Sequence, residues 1–265
     1  MSNQTNTSNH AGYRFSNELL ATLRNARRVS VLTGAGISAE SGVATFRDPD
    51  GLWAKFRPEE LASMDGFLKN PPLVWEWYQA RREVIDRVKP NAGHETLVKM
   101  QNYYEQEGGT FTLITQNVDR LHQAAGSRSV IELHGNIIEN YCSHCKQPHE
   151  YVYAVNPAQK EPPRCTYCGG MIRPAVVWFG EMLPVDALEA ASEAACRCEV
   201  MFSIGTSAEV YPAAGLPLEA KRNGALFIEV NPNDTALTRY ADVKISAPSG
   251  EALPALFQAI RAQDA

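Results

Sequence analysis

No apolar run in this sequence approaches the ~20 residues that a membrane-spanning helix needs, so no helix is expected to cross a bilayer and a soluble protein is expected. Basic residues are not in excess either. Lys and Arg number 25 against 30 Asp and Glu, a formal net charge of -5, so the overall field repels phosphate backbones and no direct nucleic-acid partner is expected. Six cysteines in 265 residues are too sparse for a secreted disulfide scaffold. The opening MSNQTNTSNHAGYR has neither the basic-then-apolar pattern of a secretory signal nor the Arg-rich pattern of a transit peptide. A cytoplasmic protein is therefore expected, with residues 1–15 as an unpatterned, disordered tail.

What is present is a regular alternation. From Asn17 to Arg28, Leu19, Leu20, Leu23 and Ala26 fall at helical spacing, and the VSVL that follows is a short β-branched run ending at Gly34. Similar runs recur at 111–115, 129–133, 175–179, 200–205, 225–230 and 242–246, mostly separated by helical text. Strands alternating with helices predict an α/β fold: a Rossmann-like parallel sheet over 16–47, 94–138 and 174–265. Two insertions break the rhythm. Residues 48–93 are aromatic-rich and helical in pattern, and 139–173 carry four cysteines, so together they predict an inserted small domain containing a zinc ribbon.

Four clusters carry chemistry. Gly34-Ala35-Gly36-Ile37-Ser38-Ala39 follows a strand and fits G-x-G-x-x-G/A, in which glycine lets the backbone approach a pyrophosphate; the alternative is a glycine turn without a ligand. No acidic residue ends a second strand about 20 residues on, which argues against a hydride-transferring dehydrogenase. Cys142-x2-Cys145 and Cys165-x2-Cys168, nineteen residues apart, offer the four thiolates of a closed tetrahedral zinc shell, in which iron also fits. Such a metal is structural, because no ligand position stays open. Cys196 and Cys198 read as plain buried thiols. Thr115-Gln116-Asn117-Val118-Asp119-Arg120-Leu121-His122 lies just past a strand, where side chains reach ligands, although Asn117 or Asp119 also suits a helix N-cap. His134, next to Gly135 at another strand end, is a candidate general base.

GAGISAESG (34–42), TFR (45–47), TQNVDRLH (115–122), ELHGN (132–136), the two C-x2-C pairs, VVWFGE (176–181), GTS (205–207) and EVNPN (229–233) together resemble the sirtuins, the NAD-dependent protein lysine deacylases. The resemblance runs in order from about residue 16 to the end. It implies that NAD, as co-substrate, and an acyl-lysine protein or peptide meet in a cleft between a large domain and a small domain with one structural zinc. It also implies roles. Gly34, Ala35, Gly36 and Arg47 line the NAD loop. Gln116, Asn117 and Asp119 surround the nicotinamide ribose, with Asn117 and Asp119 positioning. Gly205, Thr206, Ser207 and Asn231 hold phosphates and the adenine ribose, and Ser249 lies near the adenine. His134 matches the catalytic histidine, which takes a proton from a ribose hydroxyl. The segment from Val176 through Val177 and Phe179 to Glu181 matches the strand that pairs with the substrate backbone. The implied products are free lysine, nicotinamide and O-acyl-ADP-ribose.

Where many sirtuins carry Asp-Phe-Arg, this chain has Thr45-Phe46-Arg47, as in the subgroup whose substrates bear acidic acyl chains. Tyr78 and Arg81 fall on one helical face, where a phenol beside a guanidinium can grip a carboxylate, and Ala62 leaves room for a longer chain. On spacing alone, a packed Tyr78 with solvated Arg81 and Arg82 is the favoured reading, and the resemblance to the sirtuins reverses that preference. The implied activity is removal of succinyl or malonyl groups, with acetyl as a further substrate. Two other readings compete: a zinc-ribbon binding module on a vestigial nucleotide fold, and an NAD-consuming ADP-ribosyltransferase.

Overall fold

The β-branched runs form strands, the inner ones buried on both faces and the two at the sheet edges only partly buried. The computed structural model describes residues 7–10, 12–45, 57–150 and 160–262. Six strands, β3 (Arg28–Thr33), β4 (Thr110–Thr115), β5 (Ile131–Glu132), β8 (Val200–Ile204), β9 (Leu226–Val230) and β10 (Val243–Ile245), make a parallel sheet in the order β10-β9-β8-β3-β4-β5. β3 lies in the middle, with Val31 opposite both Leu113 and Phe202. Alternate residues of each strand serve opposite layers. Val29, Val31, Phe202 and Ile204 pack with Leu20, Leu23, Leu97, Met100, Leu253 and Leu256, from helices Asn17–Asn25, Ala92–Gln106 and Ser249–Arg261. Leu32 and Met201 face the other way, onto Ala191 and Ala195 of helix Val185–Arg197 and Leu216 and Ala220 of helix Leu216–Arg222. Of the candidate strands, 129–133 shortens to two residues, while 111–115, 200–205, 225–230 and 242–246 join the sheet within a residue or two of their expected bounds.

The run 175–179 does not join that sheet. Instead β7 (Ile172–Val176) pairs antiparallel with β6 (Gly135–Cys142), a strand the sequence pattern did not reveal because polar Asn136, Glu139 and Asn140 interrupt it. Gly135 is required at the start of β6: its φ is +68°, and a Cβ there would lie 2.0 Å from the carbonyl oxygen of Ala175. Helices Pro58–Leu61, Met64–Lys69 and Pro71–Arg87 pack on this pair through Leu61, Phe67, Val74, Ile85, Ile137 and Trp178. Arg82, read from spacing as a solvated alternative, is instead buried, and its guanidinium donates to the Ile137 carbonyl (2.6 Å), Gln79 Oε1 (2.7 Å) and Asn140 Oδ1 (2.7 Å).

The expected disordered tail also differs. Thr7–His10 (β1) and Tyr13–Ser16 (β2) form an antiparallel pair, and the Ser16 hydroxyl then caps helix Asn17–Asn25 by accepting from the Leu19 N–H at 3.2 Å. Among the described residues no helix is long and apolar enough to cross a membrane. Cys198 is buried as expected, whereas Cys196 is exposed, its thiol donating to Glu219 Oε1 at 3.1 Å.

Candidate functional site

In a parallel sheet the carboxyl ends of the strands share one edge, and here β3, β4, β5, β8 and β9 deliver Gly34, Gln116, His134, Thr206 and Asn231 to one cleft of about 690 Å³. Ala35, Gly36, Asn117, Gly205, Ser207 and Ser249 also line it, and at its far end so do Ala62, Tyr78, Arg81, Val177, Phe179 and Glu181. Asp119 is buried beneath this lining rather than in it, accepting from the Leu121 N–H at 2.9 Å. Arg47 lies outside the described residues.

The glycines of the first turn serve a packing purpose. A Cβ on Gly34 or Gly36 would come within 2.8 or 2.7 Å of Gly205 backbone atoms, and their N–H groups donate to Ile204 O (3.0 Å) and Gly205 O (2.7 Å). Close approach between two strand-end loops therefore forces these glycines. Side chains complete the wall: Gln116 Nε2 donates to Thr206 Oγ1 (3.0 Å), Asn117 Nδ2 to Gly34 O (3.0 Å), and Asn231 Nδ2 to Thr206 O (3.0 Å). A cleft of this size, ringed by amides, hydroxyls and one imidazole, fits a dinucleotide. The Ser249 hydroxyl donates to Glu40 Oε1 at 2.7 Å, and the Gly250 N–H joins the same carboxylate at 2.9 Å, so Glu40 caps the last helix.

His134 is partly buried with Nδ1 3.1 Å from the Gln116 carbonyl oxygen, an acceptor, so this nitrogen carries the proton in the neutral ring and Nε2 is left as the basic atom. Burial lowers the His134 pKa, opposed by that hydrogen bond. The ring is neutral at pH 7.

Under the cleft floor lie two further imidazoles. His122 Nε2 is 2.8 Å from Thr33 Oγ1, which is 2.8 Å from Thr115 Oγ1; the latter accepts from the Asn117 N–H at 3.0 Å. The His94 ring is 4.9 Å from that of His122, and the Asn91 N–H donates to His94 Nδ1 at 3.3 Å. Burial pushes His94 down to about 4, and burial plus the His94 charge pushes His122 down to about 3. Sequence reading placed His122 in a motif and missed His94, which gives no signal beyond a histidine in a helical stretch.

At the far end, Tyr78 is 2% exposed and its oxygen accepts from Trp178 Nε1 at 2.7 Å. Burial pushes its phenol up to about 12, opposed by that hydrogen bond and the Arg81 charge, so it stays neutral. The Arg81 guanidinium lies over the Trp77 ring, 4.9 Å from its centroid, and burial lowers its pKa against the opposing influence of Tyr78 and Asp119. Burial in turn raises the Asp119 carboxyl, opposed by the Leu121 N–H, Ser38 and Arg81. Glu181 is held by Arg173 and accepts from the Trp178 N–H at 2.8 Å, and the Phe179 N–H donates to Ala62 O at 2.8 Å.

The four thiols gather as the spacing predicts. Sγ atoms of Cys142, Cys145, Cys165 and Cys168 all lie within 4.8 Å of one another, with Cys142–Cys168 at 3.5 Å and Cys145–Cys165 at 3.7 Å. A tetrahedron with ~2.3 Å metal–sulfur arms has edges of ~3.8 Å, so the set fits zinc. Gly170 leaves the space for it, since a Cβ there would meet Cys142 Sγ at 2.8 Å. Four thiolates leave no position for water, so the ion ties the ribbon together and does no chemistry. Stripping it with a chelator is expected to release one zinc per chain and lower Tm by about 10 °C or more; metal analysis beside a thermal melt reads both, and an unchanged melt would mean that the thiols pack without an ion.

Known proteins carry the same pattern. Residues 34–212 match the model of the Sir2 family. An NAD-dependent protein deacylase of Aquifex aeolicus is 52% identical over 234 residues, covering 88% of this chain and 95% of that protein. One from Methylococcus capsulatus is 46% identical over 254 residues, covering 93% and 98%. Among solved structures, a Sir2 homolog–NAD complex superposes with a TM-score of 0.85 at 43% identity, covering 96% of this chain and 97% of that one. A Sir2–p53 peptide–NAD+ complex does so with a TM-score of 0.80 at 36% identity, covering 91% and 97%. With the strand-end cleft, the four-thiolate ribbon and these matches agreeing over nearly its whole length, the chain belongs to the Sir2 family.

Proposed function

We propose that this protein removes succinyl and malonyl groups from protein lysines, with acetyl as a further substrate, releasing nicotinamide and O-acyl-ADP-ribose. The coarser activity follows from family membership: it is an NAD-dependent protein deacylase with NAD as co-substrate and a structural zinc. The observation that carries the finer reading is the pairing, at the end of the cleft, of a neutral buried phenol on Tyr78 with the guanidinium of Arg81, beside buried Ala62. A carboxylate is the ligand that both groups serve, one as a neutral donor and one as a charged fork.

NAD supplies an electrophilic ribose carbon to which the acyl oxygen adds as nicotinamide leaves. This chain's residues do the rest. Gln116 and Asn117 orient that ribose, and Asp119 acts from below through its charge and its hold on the Leu121 N–H. Gly34, Ala35, Gly36, Gly205, Thr206, Ser207 and Asn231 form the wall for phosphates and the adenine ribose, with Ser249 at the adenine end. His134 Nε2 takes the proton of a ribose hydroxyl, while Nδ1–H stays fixed on the Gln116 carbonyl. Val177, Phe179 and Glu181 present the edge along which the substrate backbone lies.

A paired steady-state assay on one peptide carrying succinyl-lysine or acetyl-lysine, with and without NAD, tests this reading. Succinyl loss with the higher kcat/KM is expected, and Arg81→Met should lower the succinyl-to-acetyl ratio of kcat/KM by about 10- to 100-fold, the size of a charged hydrogen bond. Equal losses on both peptides would remove the carboxylate clamp.

A further inference from the structure

Trp178 belongs to the substrate segment by sequence, yet it is 1% exposed and its polar atom points at Tyr78. An indole N–H can only donate, so the Tyr78 oxygen must be the acceptor in their 2.7 Å contact. That decides where the phenolic proton goes. Trp178 occupies the acceptor side of that oxygen, and among the described residues no hydrogen bond donated by the Tyr78 O–H is found. The proton is thereby left for an acceptor that arrives in the cleft.

Trp178 is itself held tightly. The guanidinium carbon of Arg173 sits 3.3 Å from the centroid of its ring, and Arg173 is fully buried. Arg173 Nη2 donates to Glu181 Oε2 (2.9 Å) and to the Val176 carbonyl (2.7 Å), and the same Glu181 oxygen accepts from the Trp178 backbone N–H. Phe67 packs on the indole at 5.2 Å. A cation stacked on the ring also draws electron density from it and strengthens the N–H as a donor.

We propose that Trp178 is a positioning residue for acyl specificity: its N–H fixes the Tyr78 hydroxyl so that the phenolic proton is presented to the distal carboxylate of the acyl chain, and Arg173 with Glu181 fixes the indole. This rests on the carboxylate-clamp reading of Tyr78 and Arg81. The indole acts through Tyr78, and its effect depends on the phenol being there.

The test is a double-substitution cycle with the paired succinyl and acetyl assay. Trp178→Phe is expected to lower the succinyl-to-acetyl ratio of kcat/KM by about 5- to 10-fold, chiefly through KM, the size of one neutral hydrogen bond. In a Tyr78→Phe background it should change that ratio no further. Equal losses on both acyl groups, or effects that multiply in the double variant, would overturn the proposal. Should Trp178→Phe fold poorly, 15N-tryptophan labelling of the unmodified sequence replaces it: one indole N–H resonance, protected from exchange, should move in Tyr78→Phe, and four unmoved resonances would overturn the assignment. The two levels of failure separate. If the unmodified enzyme shows no preference for succinyl, the clamp itself falls; if it prefers succinyl, and Arg81→Met abolishes that preference while Trp178→Phe keeps it, only the role of Trp178 falls.

Discussion

Replacing His134 by alanine is expected to stop turnover, with kcat falling by about 10²- to 10⁴-fold, the range a positioned general base contributes. NAD should still bind, because the cleft wall that surrounds it draws on five strand ends and loses only one side chain. Steady-state kinetics beside direct NAD titration checks both halves. A variant that keeps its activity would take His134 out of the reaction. The pH profile gives a second, independent reading. As the proposed general base, His134 must be neutral, and burial holds its pKa below its ordinary value. Activity should therefore persist as pH falls through 6.5 and decline only in more acidic buffer. An acid limb centred above 6.5 would contradict a buried, Gln116-anchored imidazole.

Stability should fall steeply under mild acid, for a reason separate from catalysis. His94 and His122 are depressed to about 4 and about 3 in the folded protein, while an unfolded histidine titrates near 6.5. Between those values the unfolded chain binds more protons, so the stability from keeping these rings neutral is present above pH 6.5 and is lost progressively as pH falls toward 4. Going from pH 7 to 5 costs roughly 2 kcal/mol per histidine, about 4 kcal/mol for the pair. Thermal melts should drop by about 10 °C over that interval. His94→Gln should flatten this dependence by about half, since one of the two protonation sites is gone. A melt insensitive to pH over 7 to 5 would mean that water reaches the pair beneath the sheet edge.

Much of this architecture was readable before the structure. The buried strands announce themselves because burial on both faces forces continuous apolar text such as VSVL and VMFSI, and C-x2-C pairs have few uses besides a metal. The elements missed are those whose reason lies in a distant partner. β6 reads as polar because Asn136 and Asn140 are buried side chains bonded to Glu132 and Arg82. Arg82 and Arg173 look like surface charge until the carbonyls and aromatic rings around them are seen. The glycines of the first turn were found for their spacing, but the close neighbour is Gly205, a residue no local pattern connects to them. Likewise, only the fold brings the Trp178 indole to Tyr78.

The sheet order also sets a timetable for biosynthesis. Val31 in β3 has its neighbour Phe202 in β8, and Asn231 follows β9, later still in the chain. At ~5–20 residues per second, a nascent chain holds its central strand for roughly 10 to 30 s before the pairing edge on the β8 side has been made. During that wait both apolar faces of β3 lack part of their cover, and the cleft lacks the strand ends that carry Thr206 and Asn231. The cleft is thus incomplete until the segment from β8 onward has been made and has docked beside β3.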